Sequence, residues 1–182
     1  MIEFFCSGTP RPQGSKKAMR LTQGSRAGTM IMVESSKQLE PWRNDVAMAA
    51  RKARGSQPML EGAVAIVAVF VLVRPRGHYG TRGRLPSAPL RPVVAPDFDK
   101  LLRAIDDAIT GILIKDDAQI CTSQASKVYG AMPGVIVRVQ SAPAALTADE
   151  LDVIRHAGFD QALDGDVRSS EERTPCQTPL FR

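Results

Sequence analysis

The sequence predicts an α+β fold: a small mixed sheet with two helices packed on it. Three observations predict it. Residues 63–73 are an apolar run dominated by valine, which reads as a central strand covered on both faces. Two segments, about 39–54 and 99–110, repeat their apolar residues at helical spacing. Strand-like stretches alternate with these helices along the chain, so both kinds of element share one core.

Residues 2–6 read as a short first strand. The stretch GTPRPQGSKKAMRLTQGSRAG, 8–28, is too rich in glycine, proline and basic residues to pack and is expected to be a loop. The first helix places Trp42, Val46, Ala49, Ala50 and Ala53 on one face. Ser35 and Gln38 offer a capping box at its start, Pro41 is tolerable in the first turn, and Gly55 ends the pattern. After the valine run comes a second loop, 74–96, with Arg74, Arg76, Arg82, Arg84 and Arg91 set among glycines and prolines that exclude a regular element. The second helix draws its apolar stripe from Leu101, Leu102, Ile105, Ala108 and Ile112 and stops at Gly111. Strands at about 118–128 and 134–140, joined by GAMPG, are expected to form a hairpin. The folded domain is thus expected over 1–142. A short appended helix over 143–158 follows, opened by a capping box of Thr147 and Glu150, and the polar remainder, 159–182, reads as disordered.

A chain of 182 residues has room for one hydrophobic core plus an appendage. Its longest apolar run is too short to cross a bilayer, and its start lacks the basic residues and cleavage site of a signal peptide, so a cytoplasmic location is expected. Cys6, Cys121 and Cys176 are scattered and odd in number, which excludes a disulfide framework or a zinc site and leaves buried thiols as the expectation. The net charge of +5 is unevenly distributed. Residues 1–92 carry 15 of the 24 Lys and Arg and 5 of the 19 Asp and Glu; the rest of the chain carries 9 and 14. That split suits a protein that grips a polyanion with one surface and binds a cation with another, although ordinary surface charge would produce it too.

The acidic residues concentrate in PDFDKLLRAIDDAITGILIKDDAQI, 96–120. Asp97 and Asp99 are two apart where extended chain enters a helix, so their carboxylates can face one side, and Asp99 is expected at the N-cap. Arg103 and Asp107 follow four and eight residues after Asp99, on the same helical face. Asp116 and Asp117 arrive just before the next strand, and one of them can close a carboxylate cluster with the first pair. Such a cluster repels itself unless it holds a cation, and hard oxygen ligands favour Mg²⁺, with Mn²⁺ as a substitute. The reaction this serves best is phosphodiester hydrolysis. Asp-rich caps and turns would also account for the pattern.

The whole string resembles the RusA family of phage and prophage Holliday junction resolvases, whose core reads roughly DxDNLxKxxxDAL, then DDxQ, then a lysine about ten residues later. The matching residues are Asp97, Asp99, Leu101, Asp107, Ala108, Asp116, Asp117, Gln119 and Lys127. The opening GTPRPQGSKK is similar to the family's proline-rich start, so the resemblance covers about residues 1–141. It implies a homodimer that binds a four-way DNA junction and nicks two strands symmetrically in recombination and repair. Mg²⁺ would be held by Asp97, Asp99 and Asp117, with Asp116 as the other candidate ligand. Two positions depart from the family. Arg103 stands in place of a catalytic lysine and Lys100 in place of asparagine. Arginine can neutralise a phosphate but cannot lose its proton, which leaves a general-acid role without an owner.

Lys16 and Lys17 in the first loop, Arg74, Arg76, Arg82 and Arg84 in the second, and Lys100 and Lys127 beside the carboxylates are the expected DNA contacts. His78 and Tyr79, at the tip of the second loop, offer rings for stacking on exposed bases, although exposed loop residues of no special role are the commoner reading. Near the C-terminus, Gln177, Leu180 and Phe181 resemble the Q-x-x-L-F peptide by which bacterial DNA-processing enzymes dock on the replication sliding clamp. Two other readings fit the same residues: a junction-binding accessory protein silenced by the lysine-to-arginine change, and a nuclease for flaps or replication forks.

Overall fold

The computed structural model describes residues 1–14, 16–20, 22, 28–34, 38–143 and 147–148. The chain divides into two units, Met1–Ala142 and Pro143–Arg182. In the second, apart from Pro143, Thr147 and Ala148, the expected appended helix and the tail with Gln177, Leu180 and Phe181 lie outside the described residues.

The first unit runs β1 (Ile2–Ser7), β2 (Lys16–Arg20), β3 (Met30–Glu34), α1 (Leu39–Arg54), β4 (Val64–Leu72), β5 (Tyr79–Gly80), β6 (Gly83–Arg84), α2 (Phe98–Ile109), β7 (Ile120–Tyr129) and β8 (Gly134–Ser141). Four strands form the main sheet in the order β1-β8-β4-β7, with β4 central as its composition predicts. This is an α+β fold, a mixed sheet of four strands with two helices.

The expected covering of β4 on both faces is corrected. Val64, Ile66, Ala68, Phe70 and Leu72 are buried in the core with Trp42 and Val46 of α1 and Leu101 and Ile105 of α2. The alternate residues of β4 are only half-buried, because side chains along a strand point to opposite faces and the helices supply one layer. On the other face Phe5 and Ile136, cross-strand partners, remain exposed at 42% and 40%.

The expected hairpin is also corrected: β7 and β8 are not neighbours. The connection through α2 returns β7 parallel to β4, as a β-α-β crossover does, and leaves the other edge of β4 open. β8 fills that edge, antiparallel to both β4 and β1, which buries Val135, Val137 and Val139 at the sheet's centre. The chain between β7 and β8 crosses the end of β4, where the Gly130 amide donates to the Leu72 carbonyl at 3.0 Å. At Gly134 a Cβ would stand 2.5 Å from the Cys6 carbonyl and from the Phe5 ring, so only glycine allows β8 to pack so close to β1.

Helix α1 occupies its expected residues, with Gln38 at the N-cap but no side-chain capping bond; Ser35, the other half of the expected box, lies outside the described residues. Helix α2 starts one residue early, and Asp97, not Asp99, is its N-cap. The loop expected over 8–28 is partly ordered: β2 and β3 pair as an antiparallel ribbon. The second loop likewise holds the two-residue ladder of β5 and β6. Cys6 is buried and its thiol pushed up to about 11, first by burial and then by the charge of Asp45. Cys121, expected to be buried, is exposed, since the early part of edge strand β7 is itself exposed. No helix among the described residues is long and apolar enough to cross a membrane.

Candidate functional site

The start of α2 and the turn before β7 face one another across a cavity of about 540 Å³ lined by Gln13, Gly14, Asp99, Lys100, Arg103, Asp107 and Asp117. Helical spacing explains half of this lining, because Asp99, Arg103 and Asp107 recur four residues apart on one face. The remainder arrives from distant sequence. Gln13 is brought in by a backbone bond, its amide donating to the Lys100 carbonyl at 2.9 Å. Asp117 is brought in by a turn that Gln119 clamps. The Gln119 carbonyl oxygen accepts from the amides of Lys115 and Asp116, while its amide nitrogen donates to the carbonyls of Leu60 and Gly62.

That turn separates the two neighbouring aspartates. Asp116 caps it, its carboxylate accepting from the Ala118 amide at 2.9 Å, whereas Asp117 lines the cavity. Asp97 does not line it. Its exposed carboxylate accepts from Lys100 Nζ at 2.6 Å, and that hydrogen bond with the lysine's charge holds Asp97 below the usual carboxylate range. Asp97 and Asp99 in turn raise the pKa of Lys100.

Several expected phosphate contacts are already engaged. Lys127 Nζ donates to the carbonyls of Val94 and Pro96, both at 3.0 Å, and so fixes the backbone leading into Asp97. The Arg74 guanidinium donates to the carbonyls of Pro89 and Leu90 and lies 4.1 Å over the Tyr129 ring, and Arg84 donates to the Ala88 carbonyl. Arg76, Arg82 and Arg103 are exposed, and their side chains make no hydrogen bond or ion pair among the described residues. Lys16 and Lys17 lie on β2.

Three participants were not read from the sequence. Gln13 belongs to the opening string, but nothing in that string tells that it returns to α2. Arg43 of α1 pairs with Asp107 at 3.4 Å, a contact set by how the helices pack. Asp106 is the third: burial, then the charges of Asp107 and Asp117, push its carboxyl up to about 6, against the opposing effect of Arg103.

The fit of a metal can be judged from the donors present. Among the described residues no three carboxylate, thiolate or imidazole groups converge as a metal cage. The donor chemistry nevertheless suits a hard cation. Asp99, Asp107 and Asp117 offer oxygens to one cavity, and two buried oxygens, Gln13 Oε1 and Asp106 Oδ1, have no hydrogen-bond partner. Unsatisfied buried oxygens beside crowded carboxylates are the surroundings a divalent ion or its water would complete.

An α+β domain bearing a carboxylate cavity with the unpaired Arg103 in its lining has the equipment of a protein that acts on phosphate esters. The chain belongs to the endodeoxyribonuclease RusA family, whose model matches residues 7–140. It is thereby placed among nucleases that cut within DNA. It is also similar to the uncharacterized protein YqaN of Bacillus subtilis (strain 168), with 25% identity over 146 residues that span 79% of this chain and 98% of that protein.

Proposed function

We propose that the protein is a Mg²⁺-dependent endonuclease that resolves four-way DNA junctions by symmetric hydrolysis, acting as a cytoplasmic homodimer in recombination and repair. The observation that carries this is the cavity joining Asp99, Asp107 and Asp117 to Arg103 in a chain of the RusA family. Asp99 and Asp117, which line the cavity, and Asp97, once Lys100 yields its carboxylate, would hold the ion, with Asp116 left to cap its turn. Mn²⁺ would substitute. The metal would supply an activated water and charge neutralisation at the scissile phosphate. Arg103, unpaired and facing the same cavity, binds a non-bridging phosphate oxygen and remains charged throughout. Arg76 and Arg82 hold neighbouring phosphates. The sheet face carrying Phe5 and Ile136 supports a dimer, since a second copy stacked there would cover apolar surface that neither helix reaches. The sequence at Gln177, Leu180 and Phe181 would tether the enzyme to a sliding clamp, which deletion of residues 177–182 tests by clamp binding.

The deciding assay is cleavage of a synthetic four-way junction with Mg²⁺ or Mn²⁺, against flap, fork and linear duplex competitors, for the wild type and Asp97→Asn. Nicking of the junction by the wild type alone is expected. A wild type that binds the junction yet never nicks it with either metal favours the accessory-protein reading. The specific observation on that side is Arg103 in place of a titratable lysine.

A further inference from the structure

At the C-terminal ends of the parallel strands β4 and β7, two hollows lie against Tyr129. One, of about 280 Å³, is lined by Val73, Arg74, Tyr79 and Tyr129 together with the backbone turn at Gly130 and Ala131. The other, of about 220 Å³, is mostly apolar and shares Val73 and Tyr129. Its wall includes Ala95 and Pro96, the residues directly before Asp97. No carboxylate lines either hollow among the described residues.

The walls are held in place independently of any ligand. Arg74 is bonded to the carbonyls of Pro89 and Leu90 at 2.6 and 3.1 Å while it stacks on Tyr129, and His78 meets the same ring edge-on at 5.7 Å. The turn that carries Tyr79 is pinned by the β5–β6 ladder and by the Leu85 amide, which donates to the His78 carbonyl. Tyr79 itself is 52% exposed, a ring displayed at the rim. Arg76 and Arg82, free of partners among the described residues, flank it on the same loop.

Planar aromatic and guanidinium surfaces around the first hollow, with an apolar hollow adjoining it at Val73 and Tyr129, free cations outside and no acid within, suit one ligand chemistry. That ligand is a nucleobase on a phosphate backbone. A base inside a duplex has its faces covered by its neighbours, so the hollow can take only a base drawn out of its pair, which costs least at the centre of a junction, where stacking is interrupted. We propose that the hollow between Tyr79 and Tyr129 seats an unpaired nucleobase of the strand whose phosphate lies at the carboxylates, and so helps to select where that strand is cut. This rests on the nuclease reading for its placement beside a scissile bond.

The test uses the full chain and a four-way junction carrying 2-aminopurine at its centre, with Ca²⁺ in place of Mg²⁺ to allow binding without cleavage. The wild type should change the 2-aminopurine fluorescence on binding. Tyr79→Ala, at an exposed position that leaves the core intact, should abolish that change and weaken junction binding by roughly tenfold, the loss typical of one stacked base. Its affinity for linear duplex should not move. Arg82→Gln is the control for plain phosphate contact and should weaken junction and duplex alike. In Mg²⁺, a set of junctions differing only in the central base should be cut with unequal rates by the wild type and more evenly by Tyr79→Ala. Equal fluorescence changes and equal junction affinity for wild type and Tyr79→Ala would overturn the proposal, as would a wild type with no preference for junctions over duplex. A wild type that binds junctions but never nicks them sinks the nuclease reading, and the fluorescence comparison then still decides the hollow.

Discussion

The carboxylate cavity and the arginine-rich loop are two charged regions of the domain that use their charges in opposite ways. In the loop, Arg74 and Arg84 spend their donors on carbonyls of the loop itself, and Arg74 also packs on Tyr129. In the cavity, carboxylates crowd together and one buried oxygen, Gln13 Oε1, finds no donor; Oδ1 of Asp106, next to Asp107 in sequence, finds none either. A stretch with so many prolines leaves backbone carbonyls without helix or strand partners, and arginine is the side chain that can reach several at once. Asp107 is paired with Arg43, whereas Asp99 and Asp117 have carboxylate oxygens left to offer a cation. Two of the loop's five arginines are therefore scaffold, while the acidic side is where the proposed ion would bind.

The largest expected effect separates Asp117 from Asp116. Asp117→Asn should lower junction cleavage by roughly 10³-fold, the scale of several kcal/mol of lost transition-state stabilisation, with junction binding nearly unchanged. Asp116→Asn should stay close to wild type, because asparagine caps a turn as well as aspartate does. Equal losses in single-turnover assays of the two variants would erase the distinction drawn from the turn.

Next comes the contrast between arginines. Arg74→Ala removes two charge-assisted bonds to backbone and one ring contact, and should destabilise the domain by about 2–3 kcal/mol in urea unfolding. Arg82→Ala should leave stability alone and instead reduce the salt dependence of DNA binding by about one phosphate contact. The same stability loss for both would show that the loop draws no line between scaffold and contact residues.

The pH response probes the cavity's crowding. Asp106 ordinarily titrates near 3.8 and is raised to about 6 in the fold, so between those values the folded chain keeps a proton that the unfolded chain releases. Its contribution thus lowers stability as pH rises through that window and levels off above it. Asp106→Asn should therefore gain in Tm relative to wild type between pH 4 and pH 7. A wild-type-to-variant difference that stays constant with pH would contradict the burial of this carboxyl.

The smallest effect concerns Lys100. Its bond to Asp97 competes with any cation for that carboxylate, so Lys100→Asn should tighten Mg²⁺ binding by roughly two- to fivefold at low salt, as befits an exposed pair, read by metal-induced Tm shifts. Weaker metal binding in this variant would argue that Lys100 orients Asp97 instead of competing for it.

Local patterns were legible where local physics decides them. Helix α1 is found over its expected residues because apolar spacing, the first-turn proline and the terminal glycine agree. The valine run is a central strand for the same reason of consistency. The β2–β3 ribbon was not legible, since its basic strand carries no alternation strong enough to stand out from a loop. The N-cap of α2 moved from Asp99 to Asp97 because either aspartate can end an extended segment, and Phe98 joins the helix.

What the sequence determined by itself is the α+β class, the two helices and the string of aspartates that marks the family. Tertiary structure decided which charges meet. It interposed β4 between β7 and β8, gave Asp116 a capping bond and Asp117 the cavity, held Asp97 on Lys100, and brought Gln13 and Arg43 to partners far along the chain. The reason is one of range. Helical and strand periodicity are written in neighbouring residues, whereas strand order and side-chain pairing depend on long loops closing onto a shared core, which no short stretch of sequence encodes.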